Sequence, residues 1–220
     1  MIIGVCGLIG AGKDTIADYL VNIHQFRRES FANTLKDAVA SVFGWDRELL
    51  EGRTRQSRAW REQVDPWWAG RLNMPDLTPR WVLQYWGTEV VRKGFHDDTW
   101  IASLENKLRT TTDDVVISDC RFPNEIAAIK RAGGIVIRVH RGPDPAWYHL
   151  AEIANSGPHN LKWTTSKIEL EKYTIHASET AWIGTQFDAV LDNNSSMDNL
   201  YAQITRLVQD LPRPRADLVV

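Results

Sequence analysis

Residues 7–14 read Gly-Leu-Ile-Gly-Ala-Gly-Lys-Asp and sit between a short apolar run, Met1 to Cys6, and an amphipathic stretch from Lys13 to about His24. No other feature limits the possible folds as strongly. Glycines at this spacing let the backbone turn tightly around an anion, with successive N–H groups pointing inward at it. Ile2, Ile3 and Val5 favour a strand before the turn. Ile16, Ala17, Leu20 and Ile23 recur at helical spacing after it. A strand, a glycine-rich turn and a helix in that order form a phosphate loop, with the positive end of the helix facing the bound anion. Gly7, Gly10, Ala11 and Gly12 supply the cradle. Lys13 supplies a point charge for the outer phosphates of a nucleoside triphosphate.

The residue after Lys13 is Asp14, where such loops usually carry a Ser or Thr that ligates Mg²⁺. Thr15 follows one place later and, on a helix, points about 100° away. Either Asp14 meets the cation or its water shell, or Mg²⁺ is held in another way.

Beyond the loop, strand and helix signals alternate. Strands are expected at Phe26–Phe31, Asp114–Asp119, Ile135–Val139 and Phe187–Leu191. Helices are expected from a Thr34 cap to Phe43, from Pro79 to about Lys93, from Thr99 to Arg109, from Pro123 to the Gly133-Gly134 pair, and over Met197–Leu211. Thr78-Pro79 is a cap followed by a first-turn proline. Residues 46–75 start helical and then turn irregular. Residues 141–183 show little periodicity beyond a helix at 144–154. Such alternation implies a mostly parallel five-stranded sheet covered on both faces, a three-layer α/β sandwich. Ligands bind at the carboxyl ends of its strands, where Gly7 and Asp119 both fall.

At 220 residues with a net charge of −2, the chain is expected to be a single domain over 1–211, with a frayed tail at 212–220. That charge argues against general affinity for nucleic acid. No membrane span or leader is read, and two cysteines, Cys6 and Cys120, suggest a reducing compartment such as the cytoplasm. Both cysteines fall at strand ends and could be neighbours in the sheet. Seven of the ten tryptophans lie between Trp45 and Trp100. Most are expected in a core, with one or two available to wall a nucleobase.

Asp119 ends an apolar strand, a usual position for an acid that orients Mg²⁺ near a γ-phosphate. Arg121 leaves the same strand end; it could reach a transferring phosphoryl group or pair with Glu125. Gln84, Thr88 and Arg92 are spaced by four and form one polar stripe, which suits either a solvated face or recognition of a base and a phosphate. Arg55, Arg58 and Arg61 share a face best read as solvated or salt-bridged. Lys36 sits in the first turn of its helix, unfavourable beside the helix dipole unless an anion compensates.

Several segments together resemble the deoxynucleoside monophosphate kinases of bacteriophages, within the P-loop nucleoside monophosphate kinases. They are Gly12-Lys13-Asp14-Thr15 with Ala17-Asp18, Leu35-Lys36-Asp37-Ala38, Leu83-Gln84-x-x-Gly87-Thr88-Glu89 running on to Trp100, and Asp119-x-Arg121-Phe122-Pro123-Asn124-Glu125. Gly133-Gly134-x-Val136-Ile137-x-Val139-x-Arg141 and His176-x-Ser178-Glu179 complete the set. In this company Gly-Lys-Asp-Thr looks like the family's own form of the loop. The resemblance implies transfer of the ATP γ-phosphoryl group to a deoxynucleoside monophosphate, with Mg²⁺. It implies an acceptor-binding helical region over about 34–110 and a closing lid over about 141–183.

Carried onto this sequence, the resemblance implies that Gly7 to Lys13 hold the ATP phosphates and that Lys36 and Arg92 hold the monophosphate. Asp14 and Asp119 would organise the metal, Arg121 would steady the transferring group, and Gln84 and Thr88 would face the acceptor nucleoside. Asp14, Thr15 and Arg141 would also contact ATP, and Arg141 with His176 and Glu179 would belong to the lid that closes over the phosphates. A homodimer is open beside a monomer, and a viral origin would put the protein in the host-cell cytoplasm. A P-loop kinase of another phosphorylated metabolite, such as dephospho-coenzyme A, is the alternative. A GTPase switch is disfavoured: Asn106-Lys107 is followed by Leu108-Arg109, and no Asp-x-x-Gly element occurs.

Overall fold

The computed structural model describes residues 1–157 and 161–211. The tail expected to fray, 212–220, lies outside them. Two compact units are present: Met1–Ser30 with the chain from Leu108 onward, and Phe31–Lys107 between them.

The first unit is built on five strands, β1 (Ile2–Cys6), β2 (Arg27–Glu29), β3 (Val115–Ile117), β4 (Ile135–His140) and β5 (Ala189–Asp192). They lie in the order β2-β3-β1-β4-β5, and every pairing is parallel. In register, Gly4 stands opposite Ile117 on one side and Val136 on the other. Twelve α-helices follow in chain order among the described residues: α1 (Lys13–His24), α2 (Asn33–Phe43), α3 (Arg47–Glu51), α4 (Arg55–Arg61), α5 (Pro66–Leu72), α6 (Pro79–Tyr85), α7 (Thr99–Thr110), α8 (Pro123–Arg131), α9 (Tyr148–Asn155), α10 (Leu161–Glu171), α11 (Ala177–Thr180) and α12 (Met197–Asp210). A π-helix, Trp86–Lys93, continues α6.

Alternation of side chains along β1 explains the layering. Ile3 and Val5 point into a core shared with Ile16 and Leu20 of α1 and Leu200 and Ile204 of α12. Gly4 points to the other face, where a Cβ would come within 2.6 Å of Ile129 in α8. Glycine there lets α8 lie close against the sheet. The expected parallel sheet between helical layers is the fold observed.

The second unit is helical. Leu35, Val39, Phe43, Leu50, Leu77 and Val82 form its core, with Trp45 buried among them and Trp60, Trp68, Trp86 and Trp100 packed on the edges. Phe43 and Trp45 stack with centroids 4.5 Å apart, and Trp68 donates its indole N–H to the Phe43 carbonyl at 2.9 Å. Trp67 and Trp81 are exposed.

Four sequence expectations need correction. Thr34 does not cap α2: the cap position is Ala32, and the Thr34 hydroxyl pairs with Ser103 at 2.8 Å. Residues 46–75 form three short helices, α3 to α5, each entered through its own capping side chain, Asp46, Thr54 and Asp65. The helix at Pro79 is α-helical only to Tyr85 and π-helical beyond. Between 141 and 183, where one helix was expected, α9, α10 and α11 are present. In α10, Leu161 and Ile168 are exposed, so the stripe that marks a buried helix face is weak there.

Candidate active site

The glycine-rich loop leaves β1 at its carboxyl end and enters α1. Gly10 and Gly12 adopt φ of +78° and +110°, conformations that disfavour any side chain. The loop closes on itself through the Ala11 N–H to the Leu8 carbonyl at 3.2 Å. Lys13 folds back over the loop, and its ammonium donates to the Gly7 and Leu8 carbonyls at 2.7 and 2.9 Å. Burial lowers the Lys13 pKa from its ordinary value and the Arg121 cation lowers it further. Glu179 and Asp14 pull the other way.

Asp14 is exposed in the first turn of α1. Arg28 of β2 ion-pairs with it, and the same guanidinium donates to Ser118 Oγ at 2.9 Å and to Asp18 at 2.8 Å. Asp14 is thereby turned toward the ends of β2 and β3. Thr15 points elsewhere: it lines a groove of about 350 Å³ with Asp18, Tyr19, Asn22, Ile23 and Tyr201. Asp119, just past β3, accepts from Ser30 Oγ at 2.6 Å.

The sequence leaves Arg121 either reaching a transferring phosphoryl group or pairing with Glu125, four residues on. Glu125 instead accepts the backbone N–H groups of Arg121 and Phe122, at 2.7 and 3.1 Å, and so caps α8. The Arg121 guanidinium goes to α11, donating to Glu179 at 2.8 Å and Ser178 Oγ at 3.3 Å. His176 caps that helix, its Nδ1 accepting from the Ser178 N–H at 3.2 Å. Lys13, Arg121, Glu179 and Asp14 thus share one electrostatic neighbourhood. Arg141 follows β4 on the surface.

Sequence reasoning missed Arg28, Ser30, Ser118 and Asn193. Arg28 and Ser30 flank the end of a three-residue strand too short to show a pattern, and Ser118 follows β3. Asn193 follows β5, and its buried amide donates to the Ala11 carbonyl at 2.8 Å. The cysteines are neighbours as expected. Both are free and buried, and burial together with the contact to Cys6 pushes the Cys120 thiol well up.

In the second unit, Gln84 and Thr88 are exposed and Arg92 is half-buried. Arg92 pairs with Asp97 at 2.9 Å. Lys36 is mostly buried and pairs with Glu51 at 2.9 Å, while Arg47 reaches the other oxygen of Glu51 at 2.7 Å. Burial pushes the Glu51 carboxyl up, but the hydrogen bonds from Lys36 and Arg47 outweigh it and hold the pKa below its ordinary value. The anion compensating Lys36 is therefore this carboxylate. Arg55 and Arg58 are exposed, as a solvated face requires, but Arg61 of the same face is partly buried and donates to the Leu50 carbonyl at 3.5 Å.

Mg²⁺ prefers oxygen ligands, keeps several waters and binds through one or two carboxylates together with substrate phosphates. Asp14 and Asp119 beside a phosphate loop offer that donor chemistry. Among the described residues no group of three or more His, Cys, Asp or Glu side chains forms a metal site.

A parallel sheet ordered β2-β3-β1-β4-β5, with a glycine-rich loop and lysine at the end of its central strand, defines a P-loop kinase fold. No family model matches the chain. A protein of Acanthamoeba polyphaga mimivirus, provisionally named a deoxynucleotide monophosphate kinase, is 30% identical over 96% of this chain and 97% of its own length. The deoxynucleoside-5′-monophosphate kinase of Escherichia phage T5 is 26% identical over 57% of this chain and 70% of its own. Two solved structures are also similar. The shikimate kinase of Bacteroides thetaiotaomicron is 13% identical with a TM-score of 0.41, covering 95% of this chain and 97% of that one. The dephospho-CoA kinase of Campylobacter jejuni is 15% identical with a TM-score of 0.38, covering 94% and 95%. The chain belongs to the deoxynucleotide monophosphate kinase family, a family of ATP-dependent phosphotransferases.

Proposed function

We propose that this protein transfers the γ-phosphoryl group of ATP to a deoxynucleoside 5′-monophosphate, giving the diphosphate and ADP. An acceptor phosphate oxygen bonds to the γ-phosphorus as the bond to the β–γ bridging oxygen breaks. The observation that carries this reading is Lys13 in its glycine loop sharing one electrostatic neighbourhood with Arg121 and Asp14. The mimivirus relative supports it along nearly the whole chain.

In this reading Gly7, Gly10, Ala11, Gly12 and Lys13 bind the triphosphate. Arg121 meets the charge that develops on the transferring group. Asp14 and Asp119 would hold Mg²⁺, which when bound neutralises phosphate charge. Lys36 and Arg92 hold the acceptor phosphate, and Gln84 and Thr88 face its nucleoside, so the helical unit is the acceptor-binding region. Residues 141–183, of which 158–160 lie outside the described residues, are the lid that excludes water, with Arg141, His176 and Glu179 within it. The described residues include no helix long and apolar enough to cross a membrane, and viral relatives support a host-cytoplasmic setting.

The test is to offer ATP and Mg²⁺ with each deoxy- and ribonucleoside monophosphate and resolve the products chromatographically, with Lys13→Ala as control. A deoxynucleoside diphosphate is expected from at least one acceptor. Lys13→Ala should lower turnover by at least about 10²-fold, the scale of losing one transition-state contact. No product with any nucleotide, from a protein that binds ATP, would shift the reading to another phosphorylated metabolite.

A further inference from the structure

Asn193 lies far from the loop in sequence and belongs to none of the motifs of the phosphate site. Its side chain is nevertheless buried against that site, with only 8% of the residue exposed. The amide Nδ2 donates to the Ala11 carbonyl at 2.8 Å across 182 residues of chain. Its backbone N–H donates to the His140 carbonyl at 2.8 Å, which fixes Asn193 to the end of β4. The approach is close: a Cβ on Gly12 would stand 2.5 Å from Asn193 Nδ2, so a side chain there would have to push the amide aside. Gly12 is thus glycine for two reasons, its φ of +110° and the space the amide occupies.

The consequence follows from peptide geometry. In a trans peptide the carbonyl of one residue and the N–H of the next lie in one plane and point in opposite directions. No peptide bond described is cis. Holding the Ala11 carbonyl toward Asn193 therefore turns the Gly12 N–H directly away from it. A phosphate loop works by aiming such N–H groups at phosphate oxygens.

We propose that Asn193 is a positioning residue for the triphosphate: its amide locks the Ala11–Gly12 peptide in the orientation that presents the Gly12 N–H to an ATP phosphate oxygen. The assignment rests on the phosphate-loop reading above. Without the amide, this peptide keeps only its flanking bonds, the Ala11 N–H to Leu8 and the Gly12 carbonyl to Ile16, and its own orientation is held less firmly. The residue acts through the loop and does not touch the reacting atoms.

The test measures ATP binding by calorimetry, in Mg²⁺, for the full-length wild type, Asn193→Ala and Asn193→Asp. Asn193→Asp keeps the shape and removes the donor, so it serves if the alanine variant fails to fold. Both variants should weaken ATP binding by about tenfold, the order expected when a buried carbonyl loses its partner. At about pH 8 the aspartate should be the worse of the two, because a carboxylate faces the Ala11 oxygen. Toward about pH 5 it should recover relative to wild type as the carboxyl takes a proton and can donate again. The ratio to wild type cancels the titration of ATP itself.

In turnover the loss should fall on the KM for ATP, with the acceptor KM unchanged. A lower Tm with unaltered ATP affinity in a folded variant would reduce Asn193 to a structural brace and overturn the proposal. If wild type binds ATP but phosphorylates no nucleotide, the kinase reading fails while the affinities still decide this one. If wild type binds no ATP, both fall together.

Discussion

The Arg121 guanidinium donates to the Glu179 carboxylate at 2.8 Å, joining the segment after β3 to a helix 58 residues further along the chain. The carboxylate is mostly buried and also acts on Lys13. In the kinase reading, an anion paired with Arg121 and felt by Lys13 stands in the electrostatic setting that a transferring phosphoryl group requires. Replacing Glu179 by Gln removes a negative charge from the neighbourhood of an incoming polyanion and releases Arg121. The KM for ATP should fall a few-fold and kcat should fall about tenfold, the general scale of one misplaced catalytic contact. Steady-state kinetics on both substrates checks this, and unchanged constants would remove Glu179 from the site.

Lys13 gives a pH dependence with a defined sign. Burial and Arg121 lower its pKa in the folded protein, so the charged form is disfavoured relative to the unfolded chain. Below the folded pKa the protein carries the cost of a buried ammonium. As pH rises through the window up to 10.5 that cost is relieved, because the unfolded state still binds the proton. Phosphate binding needs the ammonium, so kcat/KM for ATP should fall as pH rises through the lowered pKa. Arg121→Gln removes a like charge and should move this alkaline limb to higher pH. A limb at the same pH in wild type and Arg121→Gln would sever the coupling.

Thr78 closes the start of α6, its hydroxyl accepting from the Trp81 N–H at 3.1 Å with Pro79 in the first turn. Thr78→Ala should cost about 1 kcal/mol, the usual loss for a capping hydroxyl. Chemical denaturation of wild type and variant would read it as a lower midpoint with the same slope. The Thr34 hydroxyl has a different job, bridging to Ser103, so Thr34→Ala tests a tertiary contact and not a cap.

What could be read from sequence was governed by local rules. The phosphate loop, the Thr78-Pro79 start and the Pro123 start depend on residues adjacent in the chain, and the structure places each as expected. The errors came where a distant partner decided. Glu125 was the alternative partner in view for the Arg121 guanidinium, and Glu179, which α11 brings alongside, takes it instead. Asp14 was legible as an anomaly, but Arg28, which orients it, lies in β2 with no motif around it. After Tyr85 the helix turns from α to π, and there Gly87 lies so close to Leu35 that a Cβ would come within 2.9 Å, while its carbonyl accepts from Trp100 at 3.0 Å. No periodicity encodes contacts of that range.

Lys36 presents the sharpest test of the acceptor half of the reaction. Its ammonium is buried with Glu51, whose other oxygen is held by Arg47. Removing Lys36 does not strand Glu51, because Arg47 still pairs with it, so the variant should fold. If Lys36 also serves the acceptor phosphate, Lys36→Ala should raise the acceptor KM by about tenfold or more, the range for losing a charge-assisted hydrogen bond. ATP affinity should change little. Glu51→Gln sharpens the reading: it frees the ammonium from its internal anion, so the acceptor KM should fall while the pair loses stability. A selective loss of ATP binding in Lys36→Ala would reverse the assignment and tie Lys36 to the donor nucleotide.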